Sequence, residues 1–180
     1  LAGLFALGAA HGGAPGFGPP LAEAWGALAG ASPGALPGTV PILGSAPVVA
    51  ALLAAGFSVK AGLTPLHLWL PLAHPVAPTA ASALLSGVML KAGLLGWIRV
   101  LPGDLVLPGL GTFLLAVGTF TAFYGVIVGV AQDDPKTVLA YSSVSQMGYA
   151  GIGTGVFLLL PPEMAPVALA AVAVMAVHHG

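Results

Sequence analysis

The sequence predicts an all-α, polytopic transmembrane helix bundle with a proline-broken helix, and three observations carry that expectation. Of its 180 residues, 58% are hydrophobic and 5% are charged, with a mean hydropathy of +1.04. Soluble domains carry about a quarter charged residues, so a chain this poor in charge cannot cover a water-facing surface. Apolar runs of about twenty residues recur, each long enough at ~1.5 Å per residue to cross a hydrocarbon core of ~30 Å. Finally, Lys60 ends one such run and Lys91 lies within another, and neither has a carboxylate within seven residues. An unpaired cation at membrane depth is expensive and is generally kept for function.

Composition also excludes whole classes of activity. There is no cysteine, which removes disulfide frameworks and Cys-based zinc, iron–sulfur and c-haem sites. A net charge of −1 leaves no basic surface for nucleic acid. There is no phosphate loop, dinucleotide fingerprint or nucleophile elbow. The run Gly151-Ile-Gly-Thr-Gly155 follows no strand and lies inside a predicted span, so it is not a phosphate cradle. The 27 glycines and 17 prolines mark loops between apolar runs, and close packing or kinks inside them.

In chain order, residues 1–10 are expected to end a truncated helix and 11–42 to form an extramembrane loop, with Leu21, Trp25 and Leu28 at helical spacing as a short interfacial piece. The sequence opens on Leu1 within an apolar run and stops within another, which suggests an internal fragment of a longer polytopic protein. Residues 43–62 form the first full apolar segment. Pro65 should break it, because proline removes a donor and clashes one turn back, and 66–72 should continue as a short helix or re-entrant piece. Pro78 suits a helix start, and 79–100 is the next helix, with Arg99 free to snorkel. Ala83 and Gly87 suit a tight helix contact, and Leu84, Gly87, Lys91 and Leu94 share a face by the 3.6 period.

Pro102-Gly-Asp104 is a turn, and 105–131 is a charge-free span whose Thr112, Thr119 and Thr121 can bond back to their own helix. After the polar loop Gln132-Asp-Asp-Pro-Lys136, Asp134 is expected as N-cap and Pro135 as first residue of a helix over 137–160. Ser142, Gln146, Tyr149 and Gly153 give that helix a polar or small side, and Gly151 and Gly155 form a G-x-x-x-G notch. Residues 165–179 begin a further span. In all, four complete spans and a fifth, cut short, follow the opening helix, with too few cations to orient them by loop charge.

The chemistry-bearing candidates follow from rarity in an apolar chain. Lys60 is either a proton acceptor beside a wet, proline-lined cavity or an interfacial anchor. Lys91, mid-span, lies beyond easy snorkelling reach and points to the bundle interior. His67 and His74 flank Trp69 and either pass protons or bond loop backbone around the break. Ser142, Ser143, Ser145 and Gln146 hold relay waters or glue helices together. His178 and His179 lie deep in the last run, one of them facing inward. The histidines have no acidic or thiol partners at metal-ligand spacing.

Two stretches, Lys60-Ala-Gly-Leu-Thr-Pro-Leu-His-Leu-Trp-Leu-Pro71 and Ala73-His-Pro-Val-Ala-Pro-Thr-Ala-Ala-Ser-Ala-Leu-Leu-Ser-Gly-Val-Met-Leu-Lys91, resemble the proton-conducting antiporter-like membrane subunits. These are found in respiratory complex I, in multi-subunit cation/proton antiporters and in membrane-bound group 4 hydrogenases. Asp134-Pro-Lys-Thr-Val-Leu-Ala-Tyr-Ser-Ser-Val-Ser-Gln-Met-Gly-Tyr149 is similar to a second motif of that superfamily, and Ala176-Val-His-His-Gly180 to the start of its histidine-bearing helix. Within these, Ala73-His-Pro-Val-Ala-Pro78 and Ser82-Ala-Leu-Leu-Ser-Gly-Val-Met-Leu-Lys91 look most like the branch formed by the B component of hydrogenase-4 and the third subunit of formate hydrogenlyase. The second motif looks more like complex I subunit M.

The resemblance implies an inverted repeat of two five-helix units, each with a broken helix. On that pattern 43–100 closes the first repeat and 101–180 opens the second. Lys60 matches the lysine of the first broken helix, Lys91 the bridging lysine, and His179 the histidine leading toward the second half. The family's glutamate partner of the first lysine would lie upstream. Gln146 stands where some members carry histidine, and Leu72 where many carry aspartate. The implied function is proton movement (sodium as the alternative ion) in a redox-driven complex of the prokaryotic plasma membrane. It would work with other membrane subunits, with no cofactor in this chain and any quinone, flavin, iron–sulfur or NiFe centre in partners. The rivals are a cation/proton antiporter subunit with no redox partner and an inactive membrane scaffold.

Overall fold

The computed structural model describes residues 46–101, 107–161 and 163–179. The opening helix over 1–10, the loop over 11–42, and the turn at 102–104 lie outside the described residues. Seven α-helices are described: α1 Ala46–Ala61, α2 Trp69–Val76, α3 Thr79–Leu84, α4 Leu90–Val100, α5 Pro108–Val130, α6 Pro135–Leu159 and α7 Ala165–His178. A π-helical segment, Leu85–Met89, joins α3 to α4 without interruption. No strand is found among the described residues.

The chain divides into two compact units, Leu1–Gly56 with Arg99–Pro102, and Phe57–Ile98 with Gly103–Gly180. In the smaller unit, Val49, Ala50, Leu53 and Ala54 of α1 are buried at a spacing that places them on one helix face. Every candidate residue lies in the larger unit, which is built on the antiparallel pair α5 and α6.

That pair is held by small residues. A Cβ added at Gly118, Gly125, Gly148 or Gly155 would lie 2.4–2.7 Å from backbone atoms of the facing helix. The two backbones are in direct contact, as small-residue stripes permit in lipid. Gly155 of the expected notch takes part, against Gly111 and Leu115. The notch expected at Gly87 does not form among the described residues: none of them lies within 4 Å of its missing Cβ. Gly93 and Gly96 take that role instead, meeting Ala61 and Phe57 of α1.

Helix α1 ends one step earlier than proline alone requires. Gly62 adopts φ +75°, Leu63 N–H donates to Ser58 O (3.1 Å) and Gly62 N–H to Val59 O (3.2 Å). This 6→1 and 5→2 pair is the Schellman termination, for which glycine is the residue without a steric penalty. The short helix expected over 66–72 starts later, at Trp69, and runs through Pro75 to Val76, because 63–68 are spent on turns.

The π segment displaces another expectation. A π turn holds an extra residue, so the 3.6-period face does not survive it. Leu94 is buried and Lys91 half-buried, but Leu84 is 63% exposed. Helix α6 begins as expected, with Asp134 accepting from Thr137 N–H and Pro135 in its first turn. Its expected polar side is turned outward: Ser142 and Tyr149 are exposed and Gln146 and Gly153 half-buried, whereas Ser143 and Ser145 are buried.

Among the described residues, two helices, Thr79–Val100 and Pro108–Val130, are long and apolar enough to cross a membrane, and Pro47–Ala61 and Pro166–His178 are shorter apolar helices. Helix α6 has the length of a span, 25 residues, but its serines, glutamine and glycines lower its hydropathy below theirs.

Candidate functional site

The broken segment between α1 and α3 forms the floor of the site. It is tied down at three points. Trp69 Nε1 donates to Val59 O (2.9 Å), bending the start of α2 back over the end of α1. Thr64 N–H donates to Thr121 Oγ1 on α5 (3.1 Å), while the Thr121 hydroxyl donates to Val117 O (2.7 Å). Lys136 Nζ donates to Ala77 O, the carbonyl just past α2 (2.7 Å).

His67 and His74 stand on this floor, 2% and 1% exposed. His67 meets the Tyr124 ring edge-to-face (centroids 5.0 Å, interplanar 71°) and lies 6.2 Å from the Tyr141 ring. Neither of its ring nitrogens has a hydrogen-bond partner among the described residues, and Thr64 Oγ1 is likewise buried and unbonded there. Buried polar atoms are nearly always paired. An imidazole N–H can rest on an aromatic face, but a neutral ring also carries a bare acceptor nitrogen, which a π face cannot serve. His74 is half satisfied: its Nδ1 lies 2.8 Å from Ser82 Oγ, and its Nε2 is unbonded. Neither histidine bonds loop backbone, the alternative the sequence left open.

Lys60 lies in the last turn of α1 and is exposed within this chain. Lys91 is half-buried in the first turn of α4. The α1–α4 crossing brings the Ala61 backbone against Gly93, so the two lysines stand one and two residues from one close contact. His179 follows the last residue of α7, and its Nε2 is buried with no hydrogen-bond partner among the described residues, within electrostatic reach of the Lys91 ammonium. His178 itself is exposed. Of the buried serines of α6, Ser143 meets Ser86 of the π segment (2.7 Å), a pair available to a relay, while Ser145 donates to Ala122 O (2.9 Å) as helix glue. Ser142 and Gln146 reach none of these groups through the hydrogen bonds described.

Sequence reasoning missed Thr64, Ser82, Tyr124, Tyr141 and Lys136 as site neighbours. Ser82, at i+8 from His74 across a proline corner, had no periodic signal. Lys136 read as an ordinary loop cation beside Asp133 and Asp134. In fact Asp134 is committed elsewhere: Thr137 Oγ1 and Thr137 N–H both donate to its Oδ2 at 2.8 Å. Those two bonds, the side-chain one foremost, hold this loop carboxyl below its ordinary range.

Residues 42–161 match the family described as NADH:quinone oxidoreductase/Mrp antiporter, TM. Hydrogenase-4 component B of Escherichia coli (strain K12) is 42% identical over 120 residues, 64% of this chain and 18% of that protein. An uncharacterized protein of Mycobacterium tuberculosis (strain ATCC 25618 / H37Rv) is 42% identical over 134 residues, 71% of this chain and 20% of that one. NADH-quinone oxidoreductase subunit M of Rhodobacter capsulatus is 43% identical over 101 residues, 55% of this chain and 20% of that protein. The chain thus spans about a fifth of the length of these curated relatives.

Proposed function

Because the chain belongs to the NADH:quinone oxidoreductase/Mrp antiporter transmembrane family, matched over 42–161, we propose that it is a proton-translocating membrane segment of a redox-driven complex. The complex is of the NADH:quinone oxidoreductase or membrane-bound hydrogenase type, the two kinds of protein named among its relatives. Lys60 takes up a proton from one side, Lys91 passes the charge along the membrane interior, and His179 hands it on. His67 and His74 of the broken segment belong to that path as well, and Ser142, Gln146 and His178 stand at its outer edge.

The observation that carries this reading is the close approach of the Ala61 backbone to Gly93, which sets Lys60 of α1 and Lys91 of α4 one and two residues from the same helix crossing. Two ammonium groups so placed cannot both hold a positive charge cheaply, since like charges repel by ~332/(ε·r) kcal/mol. A proton held at one lysine therefore raises the cost of holding one at the other. The chain has no cysteine to hold a cluster, so electron-carrying centres belong to partner subunits in this reading.

The test uses the full-length protein assembled with its partner subunits in proteoliposomes. Lys91→Ala is expected to slow proton uptake more than ~10-fold, about 1.4 kcal/mol or more at the barrier, with the complex still assembled. Unchanged proton uptake in that variant removes the proposal. The family description also covers Mrp antiporters. Sodium-dependent proton movement that persists without an electron donor favours an antiporter subunit. Full activity with both Lys60 and Lys91 neutralised leaves the scaffold reading.

A further inference from the structure

The corner between α2 and α3 is poor in backbone hydrogen bonds. Pro75 and Pro78 have no N–H to give, and the corner's own bonds are Ala77 N–H to Ala73 O (3.1 Å) and Ser82 N–H to Pro78 O (2.9 Å). Two side-chain bonds make up the shortage. Ser82 Oγ meets His74 Nδ1 at 2.8 Å within the corner, and Lys136 Nζ reaches the Ala77 carbonyl at 2.7 Å from 59 positions away. Carbonyls past a helix C-terminus lack partners, and the helix dipole favours a cation there. Asp134 is held by Thr137, so the half-buried Lys136 turns to the carbonyl rather than to its neighbouring acid. The Lys136 charge also acts on the His74 ring.

We propose that Lys136 is a positioning residue for His74: by holding the Ala77 carbonyl it pins the α2–α3 corner to the first turn of α6 and fixes the imidazole where Nδ1 meets Ser82. With Nδ1 committed, Nε2 is the one nitrogen left to take or give a proton, and the ring cannot swing that nitrogen out of place. Lys136 itself carries no proton in this scheme. Its ammonium sets where the imidazole sits and opposes a second positive charge beside it. The proposal rests on the proton-translocation reading above, in which His74 belongs to the path.

The experiment is a double-mutant cycle in the full-length, assembled complex, combined with amide hydrogen exchange. Lys136→Met is expected to make the Ala77 and Ser82 amides exchange ~10-fold faster and to slow proton uptake ~5-fold or more, while Lys136→Arg, which can still donate to the carbonyl, keeps both within ~2-fold. His74→Gln alone also slows uptake, and adding Lys136→Met to it costs nothing further, because residues acting through one another are not additive. Multiplying losses in the double variant, or an unchanged corner exchange in Lys136→Met, overturns the proposal. Lys91→Ala, measured in parallel, separates the two readings. If proton uptake survives Lys91→Ala the transport reading falls, whereas the exchange rates of the corner decide the Lys136 clamp independently.

Discussion

His67 shows how one side chain can be under-served by its own chain. Its ring is packed by Tyr124 and Tyr141, yet both nitrogens are unbonded at 2% exposure. A purely structural aromatic would tolerate loss of those nitrogens, and phenylalanine keeps a ring without them, its larger size costing about 1–3 kcal/mol of overpacking. His67→Phe is therefore the discriminating variant: the fold is expected to hold, with a modestly lowered melting temperature, while proton uptake falls ~10-fold or more. Wild-type uptake in His67→Phe reduces His67 to packing. The histidines and lysines were legible in the sequence because such groups are rare and costly in an apolar chain. Their neighbours were not. Tyr124 and Tyr141 are ordinary membrane-helix residues until a fold sets them around His67. Lys136 is an ordinary loop cation until a carbonyl 59 positions away is brought to it.

At the level of elements, helix boundaries were legible wherever a local signal fixed them: the Asp134–Pro135 start of α6, Pro108 at the start of α5, and the stop near Gly62. Packing faces were less so. A notch at Gly87 is a pattern any helix can carry, and the π segment rotates the residues beyond it out of the expected register. The glycines that pack are those facing another backbone, and no single-chain periodicity reveals which these are. At Gly148 a Cβ would lie 2.4 Å from Ala122 N, and neither backbone can yield without parting the helices. Gly148→Ala is expected to destabilise the α5–α6 pair by about 1–3 kcal/mol, as overpacking does, read as a lowered melting temperature of the detergent-solubilised protein. Gly87→Ala, with open space at its Cβ, should leave it unchanged or slightly raised. The start of α6 is also pH-sensitive. The Asp134 carboxyl, held below its ordinary value near 3.8 by Thr137, supports the helix fully above that value. That support is lost as pH falls through the lower folded-state value. The protection factors of the Thr137 and Val138 amides, exchange rates corrected for their intrinsic pH dependence, should fall only below pH ~4, and Asp134→Ala should abolish that dependence.

At the scale of the whole molecule, the outward surfaces of α5 and α6 differ in a way that length and hydropathy alone do not express. Helix α5 turns Phe113, Phe120, Phe123, Ile127 and Val130 outward and keeps Gly111, Gly118, Gly125 and Gly129 against α6. That is a lipid-compatible face, since apolar side chains cost nothing in hydrocarbon. Helix α6 exposes Ser142 and Tyr149 with Gln146 beside them. An unpaired amide or hydroxyl in hydrocarbon costs several kcal/mol, so this face needs protein or water against it. The two faces should separate in a lipid-contact measurement on the full-length protein in nanodiscs. Spin labels at Phe120 and Ile127 are expected to be quenched by dissolved oxygen and shielded from an aqueous nickel reagent. Labels at Ser142 and Gln146 should be shielded from oxygen, and either open to nickel or immobilised by a partner helix. Oxygen-accessible, mobile labels at Ser142 and Gln146 would put this polar face in lipid, and the α5–α6 pair would then not be oriented in the membrane as these surfaces require.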